Sequence, residues 1–277
     1  DPNGIGCGST VTNFMIEAEL MKNDSYFEKT VDMLEKFKGN LFNWYSTEDC
    51  TVLEPRFIST VDSGNFLCSL TALKEGLKEY YSECPSLAET AAKIEEIISN
   101  TDLACLYNRR RKLFHIGIYP ETGEKSKSFY DLFMSEARLS SYFAVANRIV
   151  PRNHWSSLGR IFVGGGRRCG LVSWTGTMFE YFMPNLFIPS PDGSLSREAL
   201  DFCLYCQRKR AGRMPFGISE SGFYAFDRDL NYQYKAHGIR ELGLKRGLDR
   251  EYVVSPICLL INVGPKPRQN SLTRIPP

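Results

Sequence analysis

Ser63-Gly64-Asn65-Phe66-Leu67-Cys68-Ser69-Leu70-Thr71-Ala72-Leu73-Lys74-Glu75-Gly76-Leu77-Lys78-Glu79-Tyr80-Tyr81 is the stretch that decides the fold class. Phe66, Leu67, Leu70, Leu73 and Leu77 share one face of a helix, with Lys74, Glu75 and Lys78 mostly opposite. The next helix starts at Pro85, a good first-turn residue, and runs through Ile94, Ile97 and Ile98. Upstream, Asn23-Asp24-Ser25 caps a helix entering at Tyr26. Val31, Leu34 and Phe37 keep helical spacing, and Gly39 is read as the stop. Downstream, helices are expected over Tyr130 to Ile149 (ended by Pro151), around Met178 to Phe182, and over Arg197 to Arg210. Short extended pieces at Leu113 to Tyr119, Ile161 to Val163 and Tyr252 to Val254 read as hairpin-like connectors. Helix following helix, with polar Gly-containing links, predicts a mainly α domain and no alternating βαβ fold. The Pro-rich end, residues 264–277, reads as a tail.

The 277 residues suit one large domain over 1–263. Aromatics reach 13 %, which serves either a core of large side chains or a sugar-binding cleft. A net charge of +2 gives no field that argues for nucleic acid. The cluster Arg109-Arg110-Arg111-Lys112 reads as a solvated turn rather than a phosphate site. Nine irregularly spaced cysteines, an odd number, read as reduced thiols in a cytosolic setting. Cys203-x-x-Cys206 has no second pair to complete a zinc site, so neither metal nor cofactor is expected. There is no membrane-length apolar run and no secretory signal. The start at Asp1-Pro2-Asn3-Gly4, without Met, hints at a fragment or a processed chain.

Three carboxylates stand among apolar or aromatic residues. Glu136 follows Phe133-Met134-Ser135, where burial would raise its pKa as a general acid requires; a glutamate paired with Arg138 is the alternative. Glu180 lies inside Met178-Phe179-Glu180-Tyr181-Phe182 and must be paired, protonated or functional if buried. Glu220, in Gly217-Ile218-Ser219-Glu220-Ser221-Gly222, is expected on a loop or in the first turn of a helix capped by Ser219. Asn231-Tyr232-Gln233-Tyr234 and Gly243-Leu244-Lys245-Arg246-Gly247 offer donors suited to hydroxyl-rich ligands, or form ordinary exposed loops. Gly164-Gly165-Gly166 reads as a loop, since the strand–Gly–helix frame of a phosphate cradle is absent.

An ordered set of motifs over roughly residues 40–260 resembles the glucoamylase-like (cyclisation) region of cyclic β-1,2-glucan synthases. They are Leu41-Phe42-Asn43-Trp44-Tyr45-Ser46-Thr47, Arg56 to Asn65, Tyr130-Asp131 with Ser135-Glu136-Ala137-Arg138, and His154-Trp155 with Leu158-Gly159-Arg160. Ser173-Trp174 to Pro184, Gly217 to Ser221, Tyr232-Gln233-Tyr234 and Leu244 to Leu248 continue the series. The resemblance implies an (α/α)6 toroid whose concave face binds a β-glucan. It also implies retaining transglycosylation, in which a linear β-1,2-glucan closes into a ring; related barrels hydrolyse the same glucan. The acid/base of that family matches Glu136 and the nucleophile Glu220, with Glu180 left for substrate binding or support. Tyr130, Trp174, Tyr232 and Tyr234 become candidate sugar-facing aromatics, and Asp131, Arg138, Gln233, Lys245 and Arg246 complete the candidate substrate-binding set.

In that family the barrel continues past the point matching Ser255-Pro256, with further helices carrying acidic and histidine motifs that this sequence lacks. The barrel is therefore expected to be incomplete. Three readings stay open: a retaining glucan transglycosylase or hydrolase, a glucan-binding module without turnover, and an inactive fragment of a larger synthase whose other domains would be its partners. The expected location is cytoplasmic, beside an inner-membrane synthase in the last case.

Overall fold

The computed structural model describes residues 4–6, 31–46, 48–165, 168–223, 225–228 and 233–255. The capping segment 23–25 and the tail 264–277 lie outside them. The helix expected at Ser63 begins slightly earlier, as α1 (Thr60–Leu77), and continues into a 3₁₀ turn over Lys78–Tyr80. Ser59 starts it: its Oγ accepts from the Asp62 N–H at 2.9 Å and donates to Asp62 Oδ2 at 2.6 Å. α2 (Leu87–Asn100) buries Leu87, Thr90, Ala91 and Ile94, a single face, against α1. α3 (Arg138–Ala146) packs on another side of α1. A first hydrophobic cluster forms here, with Phe66, Leu70, Ile94 and Leu139 at its centre.

A second cluster is built on α5 (Met178–Phe182) and α6 (Leu195–Ala211), joined by Phe133, Met134 and Leu171. Thr177 caps α5 and Ser194 caps α6; Gly212, at φ +59°, follows the end of α6. Between α3 and α5 come the one-turn helix α4 (Asn153–Ser157) and the hairpin Phe162–Gly165/Arg168–Leu171. Arg168–Leu171 lies against α6. Two three-stranded sheets of very short strands flank the first cluster. One orders Phe129–Tyr130, Leu113–His115 and Tyr107–Asn108; the other orders Ile58–Ser59, Gly117–Tyr119 and Glu124–Lys125.

Among the described residues the helices hold both cores, but the links are richer in strand than a mainly α domain leads one to expect. The helix expected over Val31 to Phe37 stops after residue 33, and Lys36–Phe37 pairs with Asn40–Leu41 instead. Lys38 and Gly39, at φ +50° and +79°, form the hairpin turn, so Gly39 reverses a strand rather than ending a helix. The helix expected over Tyr130 to Ile149 is confined to Arg138–Ala146. Phe133 N–H donates to Gly159 O at 2.9 Å and Gly159 N–H to Asp131 O at 2.6 Å, so residues before the helix pair with a distant segment. Gly164 and Gly165, read as loop, are paired hairpin residues. Of Tyr252 to Val254, only Val254 bridges, to Ile218. No helix among the described residues is long and apolar enough to cross a membrane.

α1 and α3 touch where Gly64 meets Ser140. A Cβ at Gly64 would fall 1.9 Å from Ser140 Oγ and 2.6 Å from Ser140 Cα. Gly64→Ala is expected to cost about 2 kcal/mol in urea unfolding through overpacking. Gly76→Ala, on the same helix with nothing within 4 Å, is expected to stabilise by up to about 1 kcal/mol. Equal effects at the two positions would contradict this packing.

Candidate active site

Residues 131–139 cross from one hydrophobic cluster to the other. Phe133 and Met134 belong to the second, Leu139 and Phe143 to the first. Glu136 sits at the crossing, half-buried, with Ser135 Oγ donating to its Oε2 at 3.2 Å. Burial is the main cause that pushes its carboxyl up to about 8, and the charges of Glu180 and Glu220 add to it. Arg138 does not pair with it. Its guanidinium is buried, donating to Met134 Sδ at 3.0 Å, Tyr181 O at 3.3 Å and Asn185 Oδ1 at 3.0 Å. Desolvation lowers Arg138 to about 10. It ties the crossing segment to α5 and to Asn185.

Glu220 lies on the loop before the short strand Ser221–Gly222, not in a helix capped by Ser219. Tyr234 Oη donates to its Oε2 at 2.5 Å, and Thr177 Oγ1 stands 3.5 Å from Oε1. Burial raises its pKa, while these two hydroxyls favour the anion and oppose the rise. Gln233 N-terminal to Tyr234 holds the loop from behind: its Nε2 donates to Ala225 O at 3.1 Å, and its carbonyl accepts from Phe223 N–H at 2.8 Å.

Glu180 is buried in the first turn of α5. Its carboxylate accepts the N–H groups of Thr175 and Gly176 at 3.0 Å each, and thereby fixes the loop 173–176. Burial raises its pKa, and bonds from Ser173 and Thr175 lower it. The same loop is backed by residues 239–245. Ile239 N–H donates to Gly176 O at 3.0 Å, Leu244 N–H to Ser173 O at 3.0 Å and Lys245 N–H to Trp174 O at 2.8 Å. Gly238 is needed there, since a Cβ would lie 1.8 Å from Thr175 O. Lys245 thus contributes through its backbone, with its side chain exposed. Arg246 folds back, donating to the carbonyls of Arg240 and Gly243 at 3.0 and 3.1 Å.

Tyr130 joins the carboxylates. Burial first, then the charges of Glu136, Asp62, Glu220 and Glu180, raise its phenol well above the ordinary value, so all four acids are near enough for their charges to act on it. Trp174, exposed, donates from Nε1 to Asp131 Oδ1 at 2.7 Å. Trp174 and Tyr234 stand exposed beside the acids, where flat rings can meet a sugar. Tyr232 lies outside the described residues.

Sequence reasoning missed Asp62 and Thr177. Asp62 is half-buried, and burial raises it to about 6 against the Ser59 hydrogen bond. Its only sequence signal is Ser59-x-x-Asp62, which reads as a local helix cap. Among the described residues no group of three or more His, Cys, Asp or Glu is placed to hold a metal ion. What the arrangement offers is proton transfer and anionic attack by carboxyl groups whose pKa values differ.

No family model matches the chain. In sequence it is 26% identical, over 357 aligned positions, to the cyclic β-(1,2)-glucan synthase NdvB of Rhizobium meliloti (strain 1021). That match takes in 84% of this chain but 13% of the relative, so the chain is homologous to a small part of that protein. In structure, the chain resembles an endo-β-1,2-glucanase from Chitinophaga pinensis, solved with sophorotriose and glucose. The TM-score is 0.64 at 11% identity, over 87% of this chain and 66% of that one. It also resembles an endo-β-1,2-glucanase from Talaromyces funiculosus, solved with sophorose, at a TM-score of 0.63 and 12% identity, over 92% of this chain and 55% of that one. These structural likenesses establish a shared fold.

The raised pKa of Glu136 has a consequence for stability. The folded chain holds this proton more tightly than the unfolded chain, so stability falls as pH rises from about 4.5 towards about 8. Glu136→Gln keeps the neutral shape at every pH. It is expected to match the parent protein near pH 4 and to exceed it by about 2 kcal/mol near pH 8, after discounting for partial solvent access. Urea unfolding at the two pH values measures this; a less stable Gln variant at the higher pH would contradict the burial account.

Proposed function

We propose that this domain cleaves β-1,2-glucan with retention and transfers the glycosyl unit, either to a hydroxyl of the same glucan, closing a ring, or to water. The carrying observation is that the charges of Glu180 and Glu220 act on Glu136, and those of all three on Tyr130, in a chain homologous to part of a cyclic β-1,2-glucan synthase. Glu136 is the general acid. It remains protonated at neutral pH and gives its proton to the glycosidic oxygen as the bond to C1 breaks. Glu220 is the nucleophile. Tyr234 and Thr177 favour its anion, which attacks C1 to form a glycosyl ester. In the second step an acceptor hydroxyl gives its proton to Glu136 as its oxygen attacks C1 and frees Glu220.

Glu180 supports the site through the 173–176 loop, and its charge helps Glu136 keep its proton. Tyr130, Trp174 and Tyr234, with Asp131 behind Trp174, are the candidate sugar platform. Tyr232 is retained as a candidate on sequence grounds alone. We read the helices as part of an (α/α)6-type toroid, since the chain covers 66% and 55% of the two solved glucanases. Within a longer synthase the chain would adjoin other domains. The seven free cysteines among the described residues suit a cytoplasmic setting.

The test is mass spectrometry of products after incubation with linear β-1,2-glucan. Products lighter by one water than linear glucans of equal length mark ring closure, and shorter linear chains mark hydrolysis. Glu136→Gln and Glu220→Gln are each expected to slow turnover about a thousand-fold. Unchanged substrate from the folded chain would contradict the proposal and leave a glucan-binding module.

A further inference from the structure

A concavity of about 530 Å³ lies at the other end of α3 from Glu136. Nine helical residues, about 13 Å of rise, separate the two. One wall is the turn between Tyr107–Asn108 and Leu113–His115; the other is the link from α3 to α4. Arg109, Lys112, Arg148 and Arg152 line it, and no Asp or Glu does. Among the described residues none of these four cations is in an ion pair, whereas seven ammonium or guanidinium groups elsewhere in them are. Four unneutralised cations around one concavity repel one another, and an anion between them relieves that repulsion.

A second observation points to the same place. Tyr107 lines the concavity and is only 7 % exposed, yet its buried hydroxyl has no hydrogen-bond partner. Buried hydroxyls are normally paired, so this donor lacks the partner it would ordinarily have; its oxygen is itself buried, so a ligand in the concavity reaches it only as the lining side chains move. Its ring is held edge-on by Phe114 and His154, at 5.2 and 5.5 Å between centroids. His154 Nδ1 in turn contacts Lys112 O at 2.8 Å, which anchors the cationic turn to the same aromatic group.

We propose that this concavity binds a phosphate group, held by Arg109, Lys112, Arg148 and Arg152 with Tyr107 as a neutral donor. Arginine forks suit phosphate oxygens, and the lysine adds a point charge. The volume falls in the range of small-molecule sites, larger than bare phosphate requires, so a phosphorylated sugar is the favoured form. Cations ringing a concavity, on a chain of net charge +2, fit a small ligand better than a polyanion. The basic cluster expected to be a solvated turn is half of this site.

The test is calorimetric titration of the 277-residue chain with glucose 6-phosphate, inorganic phosphate and glucose. One-to-one saturation by glucose 6-phosphate is expected, with no binding of glucose and weaker binding at high salt. Tighter binding of the sugar phosphate than of inorganic phosphate identifies an ester ligand; equal affinity identifies the free anion, and either supports the site. The double variant R109E/R148E is expected to weaken binding at least tenfold, and Tyr107→Phe about fivefold, with turnover of β-1,2-glucan unchanged. Circular dichroism checks that both variants fold. Absence of saturation, or affinity unchanged in the folded double variant, would overturn the proposal, whatever the outcome at the carboxylate site.

Discussion

Glu136, Glu180 and Glu220 are all wholly or partly buried, and the charges of Glu180 and Glu220 act on Glu136, so the three do not all ionise at ordinary cost. Glu136 pays most, because it is surrounded by burial and by two other acids, and so it keeps its proton. Glu180 and Glu220 are given donors that oppose the rise: backbone N–H groups for the first, two hydroxyls for the second. The differences in local hydrogen bonding therefore set three chemically similar side chains apart, and the proposed division into acid, support and nucleophile rests on that difference. Their charges, after burial, also raise the pKa of the Tyr130 phenol.

Keeping like charges together requires a rigid frame, and both clusters contribute to it. The first fixes the start of α3 through the close approach of Gly64 to Ser140. The second fixes α5, whose first turn carries Glu180. Arg138 spans the two by reaching the Tyr181 carbonyl and Asn185. The 173–176 loop is held on both sides, by Glu180 and by the backbone of residues 239–245, and its neighbour Gly238 has no room for a side chain. Trp174, a proposed sugar platform, sits on this clamped loop instead of on a free one.

Much of this was legible in the sequence where the signal was local. The faces of α1, α2 and α6 follow from periodicity, and their positions were read to within a few residues. Glu136, Glu180 and Glu220 stood out because acids in apolar or glycine-bracketed runs need a reason to be there. What failed was non-local. The run before α3 is apolar enough to pass for helix, yet Phe133 N–H donates to Gly159 O and Asp131 O accepts from Gly159 N–H. Lys38-Gly39 carries the same positive-φ signal whether it ends a helix or turns a hairpin. Asp62 is the first-turn partner of the cap residue Ser59, a local pattern that gives no sign that its charge also acts on Tyr130. Likewise, nothing in the spacing of Glu220 and Tyr234 announces the bond between them.

The central claim is that Glu136 is a neutral acid at neutral pH while its neighbours oppose one another's ionisation. Infrared difference spectroscopy of the parent chain against Glu136→Gln reads this directly, across a pH titration. The account predicts a protonated-carboxyl band at pH 7 that is absent from the Gln variant and that disappears as pH passes about 8. A carboxylate band from Glu136 already at pH 6 would contradict it.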